Sequence, residues 1–452
     1  MRTRVLRTIV LLGIIGFGLA ACQTGPVLTA APTATPAGPK GVFWVDPTKD
    51  LGPISKFVLG ANLFGALGVK TLDAAKNSGI TFLRWPGGNW GDQNDIQPFA
   101  VDLYMSEAAL MGAKPSICVR LPNGTPEQAA ALVQYVNIEK KYGVKYWSIG
   151  NEPSLYESAL DLKGQAWDAV SYAKRWREFA KAMKAVDPTI LIYGPDIHGS
   201  FTGDPATDPK DHLGKLYLQE FLKLNGDMVD IVTVHRYPFP TCQTCSAAPT
   251  VGDLLDNTPE WDSLIPNLRR IIKQTTGKDL PVGVMEYNSN YANVAGADTS
   301  PDSFFGALWL ADVMGRMIRQ RPEFLAYWYL TSGYGSAGHG LMTSFDLRPS
   351  YYVFQIYKRF GNHLLAATSD QPRVSVFAAK QDDGSVTVVF VNRGETAVKQ
   401  PLQLEKGDKL ALTEAYLFDR NTMAQPFAPP EFHNGDPVEV AGYSVLLYIF
   451  HP

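Results

Sequence analysis

Two glutamates stand where paired carboxylates could do acid–base and nucleophilic work. Glu152 lies in Ile149-Gly150-Asn151-Glu152-Pro153 and Glu286 in Met285-Glu286-Tyr287-Asn288, each at the end of a short apolar run. Two carboxyl groups facing one another ~5–5.5 Å apart can cleave a glycosidic bond with retention: one protonates the leaving oxygen, the other attacks the anomeric carbon. That division of labour needs a raised pKa on the acid and an ionised nucleophile. Arg84 and Tyr237 are candidate donors that would keep Glu286 ionised; Arg84 could equally be a buried structural cation. His235 and Tyr237 are two residues apart, so on a strand they share a face, which could line a pocket or a core layer. Trp328 is a candidate sugar platform and Trp90 a second one, because an indole offers an apolar face and a polar handle. Asp196, after Gly194-Pro195, could contact a sugar hydroxyl or cap the next segment. His339 sits in the glycine-rich stretch 333–340, a loop that could overhang a cleft.

These residues need a frame. Short apolar runs recur at Phe57–Asn62, Thr81–Trp85, Pro115–Arg120, Lys145–Asn151, Ile190–Asp196, Asp230–Tyr237, Pro281–Tyr287 and Leu325–Leu330. Helix-like stretches separate them, clearest at Gln128–Tyr142 and Trp167–Val186, where apolar residues return every three or four positions. Eight apolar strands with helical crossovers predict a parallel sheet covered by helices, and eight units are what a (β/α)8 TIM barrel requires. The barrel is expected over 57–365. No GxGxxG follows the first run, so a dinucleotide-type open sheet is not indicated. In a barrel, functional side chains gather at the C-terminal strand ends. Arg84 would end the second strand, Glu152 follow the fourth, His235 and Tyr237 end the sixth, Glu286 the seventh, and Trp328 lie on the eighth. Beyond Leu365 the texture turns to strands and tight turns such as Asp382-Asp383-Gly384, which predicts a β-sandwich over 366–452. The strand-like segment within 42–56 is expected to join that β domain, tying both ends of the chain together.

Asn151-Glu152-Pro153 on the fourth strand and Glu286 on the seventh resemble the acid/base and nucleophile motifs of the clan-A retaining glycoside hydrolases. The resemblance implies that Glu152 is the acid/base, Glu286 the nucleophile and Asn151 the holder of the sugar 2-hydroxyl. Arg84-Trp85-Pro86-Gly87-Gly88-Asn89 is similar to a segment of the family 51 α-L-arabinofuranosidases, which adds Asn89 to the substrate-binding candidates. His235 and Tyr237 match the clan's His-x-Tyr, and Trp328 its strand-eight Trp. The barrel with a β domain built from both chain ends also resembles families 39, 30 and 79. Two departures stand out: Gly60 is followed by Ala61-Asn62 where family 51 carries Glu, and Trp85 replaces Phe. The resemblance implies a carbohydrate substrate and no metal or organic cofactor. It leaves β-xylosidase, β-glucuronidase and endo-β-glucanase open beside the arabinofuranosidase. A surface protein that binds glycans without cleaving them is the other reading, but it predicts loss of a catalytic carboxylate, and both are present.

The rest of the chain bears on location. Of 452 residues, 41 are Lys or Arg and 44 Asp or Glu, a formal charge of −3, so no basic excess exists to neutralise nucleic-acid phosphates. Arg2, Arg4 and Arg7 precede an uncharged stretch ending Leu19-Ala20-Ala21-Cys22. This pattern, read as a signal peptide over 1–21, resembles a bacterial lipobox. It implies acylation of Cys22, a membrane contact through that lipid, and an extracytoplasmic location. Residues 22–41 are rich in Pro and Thr and read as an extended, disordered spacer. Cys242 and Cys245 form a single CxxC, short of the four thiolates of a structural zinc site; outside the cytoplasm a local disulfide fits better. Nothing in the sequence speaks to oligomeric state.

Overall fold

The structure, a computed structural model, describes residues 38–63, 65–160, 162, 167–239, 248–292, 294–332 and 338–452. The signal peptide, Cys22, Cys242 and Cys245 lie outside them. Among the described residues no helix is long and apolar enough to cross a membrane.

Eight parallel strands close into a barrel: β2 (Gly60–Asn62), β3 (Phe82–Trp85), β4 (Lys114–Val119), β5 (Tyr146–Ile149), β6 (Leu191–His198), β7 (Ile231–Arg236), β8 (Val282–Tyr287) and β9 (Phe324–Tyr327), numbered after β1 (Phe43–Pro53). Closure is through β2, which pairs with both β3 and β9. The period of two along each strand fixes what fills the interior. Near the N-terminal ends Phe57, Phe82, Tyr146, Ile231 and Phe324 form an apolar plug, with Phe82 and Phe324 stacked at 4.6 Å. Two residues further along β3 and β7 the inward positions become Arg84 and Thr233, and after Thr233 comes His235. The barrel is therefore greasy at its base and polar at its mouth.

Helices cover the outside. The helix Ala169–Val186 starts where Asp168 accepts from the amides of Val170 and Ser171. It buries Tyr172, Trp176, Phe179, Ala180 and Met183 along one stripe.

The remaining strands are β10 (His363–Thr368), β11 (Val374–Lys380), β12 (Val386–Asn392), β13 (Val398–Leu404), β14 (Ala411–Phe418), β15 (Gln425–Phe427), β16 (Pro437–Val440) and β17 (Ser444–His451). With β1 they make one nine-stranded sheet, curled around a core that includes Phe43, Val388, Phe390 and Leu446. β1 lies between β10 and β13, so both ends of the chain share this sheet. The sheet begins inside the span assigned to the barrel. The continuous apolar run Leu364-Leu365-Ala366-Ala367 pairs antiparallel with β1, so the change of domain falls at His363 and not after Leu365. Alternation on β12 and β17 explains their unbroken apolar character. Val388, Phe390, Leu446 and Tyr448 face the β core, whereas Val389, Val391, Leu447 and Ile449 belong to the core shared with the barrel.

Candidate active site

The mouth is organised around Arg84, fully buried at the end of β3. Its Nη1 donates to Glu286 Oε1 at 2.8 Å and Asn62 Oδ1 at 2.9 Å; its Nη2 donates to Asn151 Oδ1 at 2.8 Å and Asp196 Oδ2 at 3.2 Å. One guanidinium thus ties the ends of β2, β5, β6 and β8, a fork that a lysine lacks. The two readings of Arg84 merge, since it is both the buried cation and a direct partner of Glu286.

Glu286 also accepts from Tyr237 Oη at 2.8 Å, through its second oxygen. Across the mouth, Glu152 Oε1 lies 3.0 Å from His235 Nδ1, and the same nitrogen is 3.5 Å from Glu286 Oε2. Ligand atoms of Glu152, His235 and Glu286 all fall within 4.8 Å of one another. Glu152 retains 13% side-chain exposure against 4% for Glu286, so the former is the more open to solvent.

Burial raises both carboxyls above their ordinary range. For Glu286 that rise is opposed by His235, Arg84 and the Tyr237 hydroxyl, and reinforced by Glu152. For Glu152 it is opposed by His198 and Arg84 and reinforced by Asp196. Two strong donors address Glu286 directly and neither addresses Glu152. A proton held by the pair therefore rests on Glu152, leaving Glu286 ionised. Burial lowers the His235 pKa, and Glu286 and Asp196 only partly restore it.

The backbone that presents Glu152 is unusual. Gly150 has φ 76° and Glu152 itself φ 48°, in the left-handed region. A side chain at Gly150 would meet Tyr156 Oη at 2.3 Å, so both the turn and the close approach demand glycine. For Glu152 the same region costs about 1–2 kcal/mol, which neighbouring contacts must offset. One is Asp92, buried on the short helix Trp90–Gln93, whose carboxylate accepts from the Asn151 amide at 2.7 Å, Tyr156 Oη at 2.7 Å and the Leu121 amide at 3.1 Å. Burial pushes Asp92 up to about 6 against the pull of those three donors and Arg84.

Asn89 joins the site through Asn151 Nδ2, which donates to its Oδ1 at 2.9 Å. Trp328 lies just past β9, half-buried, with its ring against Gly87 and Gly88; a Cβ on Gly88 would approach the indole to 2.5 Å. The two glycines are what let an aromatic face lie on that backbone. Trp90 is 43% exposed at the rim and borders a cavity of about 520 Å³ with Phe99 and Leu103. It makes none of the contacts that join the two glutamates.

Two residues sit deeper than expected. Asp196 is buried, with Thr233 Oγ1 at 2.5 Å on one oxygen and Arg84 on the other, and its backbone oxygen accepts from the Glu152 amide. It is a counter-ion, because an unpaired guanidinium at this depth would be costly. His339 does not overhang the cleft; it is buried with Nε2 2.7 Å from the Asn290 carbonyl, and burial pulls its pKa to about 4. Sequence reasoning missed Asn62, Asp92, Thr233 and His198, whose Nδ1 lies 3.9 Å from Glu152 Oε1. For His198 a signal existed, since it shares a strand face with Asp196, two residues earlier.

Glu152, His235 and Glu286 could in principle ligate a cation. The donor set argues otherwise: each Glu286 oxygen already accepts a hydrogen bond, and the Arg84 charge stands 2.8 Å from one of them.

Known proteins share this architecture. The model of glycoside hydrolase family 44 matches residues 123–238, a span that holds Glu152, His235 and Tyr237. A probable alpha-L-arabinofuranosidase C of Aspergillus fumigatus is 26% identical over 212 residues, 38% of this chain and 39% of that protein. The chain thus spans well under half the length of that relative. Among solved structures, the alpha-L-arabinofuranosidase of Thermotoga maritima superposes with a TM-score of 0.70 at 18% identity, covering 90% of this chain and 99% of the other. A family 44 xyloglucanase of Paenibacillus polymyxa gives 0.69 at 15% identity, covering 91% and 99%; at these identities both are likenesses of fold. The chain shares the fold of these enzymes, a closed parallel barrel followed by a β domain. The matching family model is family 44, where the motifs resemble family 51.

Proposed function

We propose that this protein hydrolyses O-glycosidic bonds of a polysaccharide or oligosaccharide by double displacement. The observation that carries the reading is the pair Glu152 and Glu286, with one oxygen of each within 4.8 Å of the other and two donors, Arg84 and Tyr237, that reach Glu286 but not Glu152. That proximity suits attack by a carboxylate better than the wider separation of an inverting pair. In the first step a Glu286 oxygen bonds to the anomeric carbon, the bond to the leaving oxygen breaks, and the Glu152 proton goes to that oxygen. In the second, Glu152 takes a proton from water, whose oxygen displaces Glu286. Arg84 and Tyr237 hold the charge of Glu286 before attack and after its release.

An α-L-arabinofuranoside is the first substrate to test, on the Pro86-Gly87-Gly88-Asn89 segment and the likeness to arabinofuranosidases. A β-glucan is the second, on the likeness in fold to the family 44 xyloglucanase and endoglucanase. The test is hydrolysis of nitrophenyl glycosides and polysaccharides, wild type beside Glu286→Ala with added azide. A glycosyl azide of inverted configuration from the variant supports double displacement with Glu286 as nucleophile. A wild type that binds a polysaccharide but cleaves nothing returns the non-catalytic glycan-binding reading.

The lipobox-like segment further supports a protein held outside the cytoplasm by a lipid on Cys22. Incorporation of labelled palmitate by wild type and not by Cys22→Ser tests that placement.

A further inference from the structure

The segment after β3 does more than supply Arg84. Asn89 receives the Asn151 side chain, and Asp92, one helical turn later, receives the Asn151 backbone amide. The Asn151-Glu152 turn is thereby gripped at two points by one neighbouring loop. Asp92 makes no contact with Glu152 or Glu286, so its influence on chemistry must run through backbone. Its surroundings leave little choice of residue. Three donors converge on it, two amides and a hydroxyl, and only an acceptor with two free oxygens satisfies all three. An amide would turn an NH2 group toward at least one of them. The grip also acts where it is needed, beside a glutamate in the left-handed region.

We infer that Asp92 is a positioning residue for the acid/base: by holding the Asn151 amide and Tyr156 it fixes the direction in which Glu152 presents its proton. The inference rests on the glycosidase reading. Misplacing the acid while sparing the nucleophile has a distinct signature. A leaving group that needs protonation loses rate, whereas one that departs as a stable anion does not.

Asp92→Asn is therefore compared with wild type on two glycosides of the sugar that wild type cleaves, one with a 2,4-dinitrophenyl and one with an alkyl leaving group. The expected outcome is a loss of about 10²-fold in kcat/KM for the alkyl glycoside and less than about 3-fold for the dinitrophenyl one. Tyr156→Phe removes one donor to the same oxygen and is the milder variant should Asp92→Asn fold poorly. It is expected to lose about 3–10-fold on the alkyl glycoside alone. Equal losses on both substrates, or no loss on the alkyl glycoside, overturn the inference and leave the glycosidase reading standing. A wild type that cleaves no glycoside at all overturns both.

Discussion

The molecule contains two buried clusters of charge, and they behave in opposite ways. At the barrel mouth, Arg84 stands among Glu286, Asp196 and, further off, Glu152. At the junction of barrel and β domain, Asp312 on the helix Phe304–Arg319 stands between Arg316 at 2.8 Å and Arg393 at 2.9 Å, with Thr258 Oγ1 at 2.5 Å. Burial pushes the Asp312 carboxyl up, but the two guanidiniums outweigh it and hold the group below its ordinary range. At the mouth the same burial wins, and both glutamates rise. The difference is the ratio of signs. One carboxylate between two cations is a closed arrangement that wants no proton. Three carboxylates around one cation favour keeping a proton, which the proposed mechanism would lend to a substrate. A buried ion pair alone is therefore no mark of a catalytic site; a surplus of acid in it is.

The comparison can be broken at its centre. Arg84→Lys keeps the charge and loses the fork that joins four strand ends. The expected cost is about 10²–10³ in kcat/KM, with folding largely retained. Because Arg84 lowers the Glu286 pKa, weakening that contact raises it. The acid limb of the pH–rate profile should move to higher pH. A variant whose limb stays in place, or whose rate is unaltered, would show that Arg84 is only a structural cation.

Asp312→Asn should have the reverse profile. It removes the close counter-charge of the buried Arg393 and leaves Arg316 with Asp262 alone. A cost of about 3 kcal/mol in stability is expected, as for other broken buried pairs. The kcat of the folded fraction should be unchanged, read by denaturant titration beside kinetics. Loss of rate without loss of stability would mean that the junction communicates with the mouth.

What the sequence disclosed follows the same division. Glu152 and Glu286 were legible because each is a carboxylate at the end of an apolar strand, and the eight-strand period said which ends converge. The alternation on β3 and β7 was legible too, since it places Arg84, His235 and Tyr237 at the mouth. Asp92 was not, because Trp90-Gly91-Asp92-Gln93 reads as ordinary loop; its role exists only once Asn151 and Leu121 arrive from other strands. Asp196 was found, but its contact with Arg84 was not, because position in the chain cannot tell a residue that meets a ligand from one that neutralises a buried cation. The apolar stretch around Asp312 marks it as a buried charge, but its partner Arg393 lies far along the chain and cannot be read from it. The β domain was legible in outline, while the start of β10 was not, because its pairing partner lies more than 300 residues earlier.

The smallest effect is the most discriminating, since it separates the clusters by sign. Glu152→Gln removes a carboxyl whose folded-state pKa lies above its ordinary 4.5. Below about pH 4.5 the wild-type group is protonated whether folded or not, and the variant gains nothing. As pH rises through the folded-state value, the unfolded chain ionises this group more readily, and wild type loses stability that the glutamine keeps. The variant should therefore melt higher than wild type by a few degrees near pH 7 and equal it near pH 4. Asp312 runs the other way. Its folded-state pKa lies below the ordinary 3.8, so its contribution is full above about pH 4 and fades as pH falls through the folded value. The melting gap between wild type and Asp312→Asn should therefore narrow on acidification, while the Glu152→Gln gap widens on going to neutral pH with wild type the lower. Calorimetric scans of the three proteins from pH 3 to 7 read both slopes. If the Glu152→Gln gap were flat with pH, the folded-state pKa would equal the unfolded one, the carboxyl would be ionised at neutral pH, and the proton the mechanism requires would have to be held elsewhere.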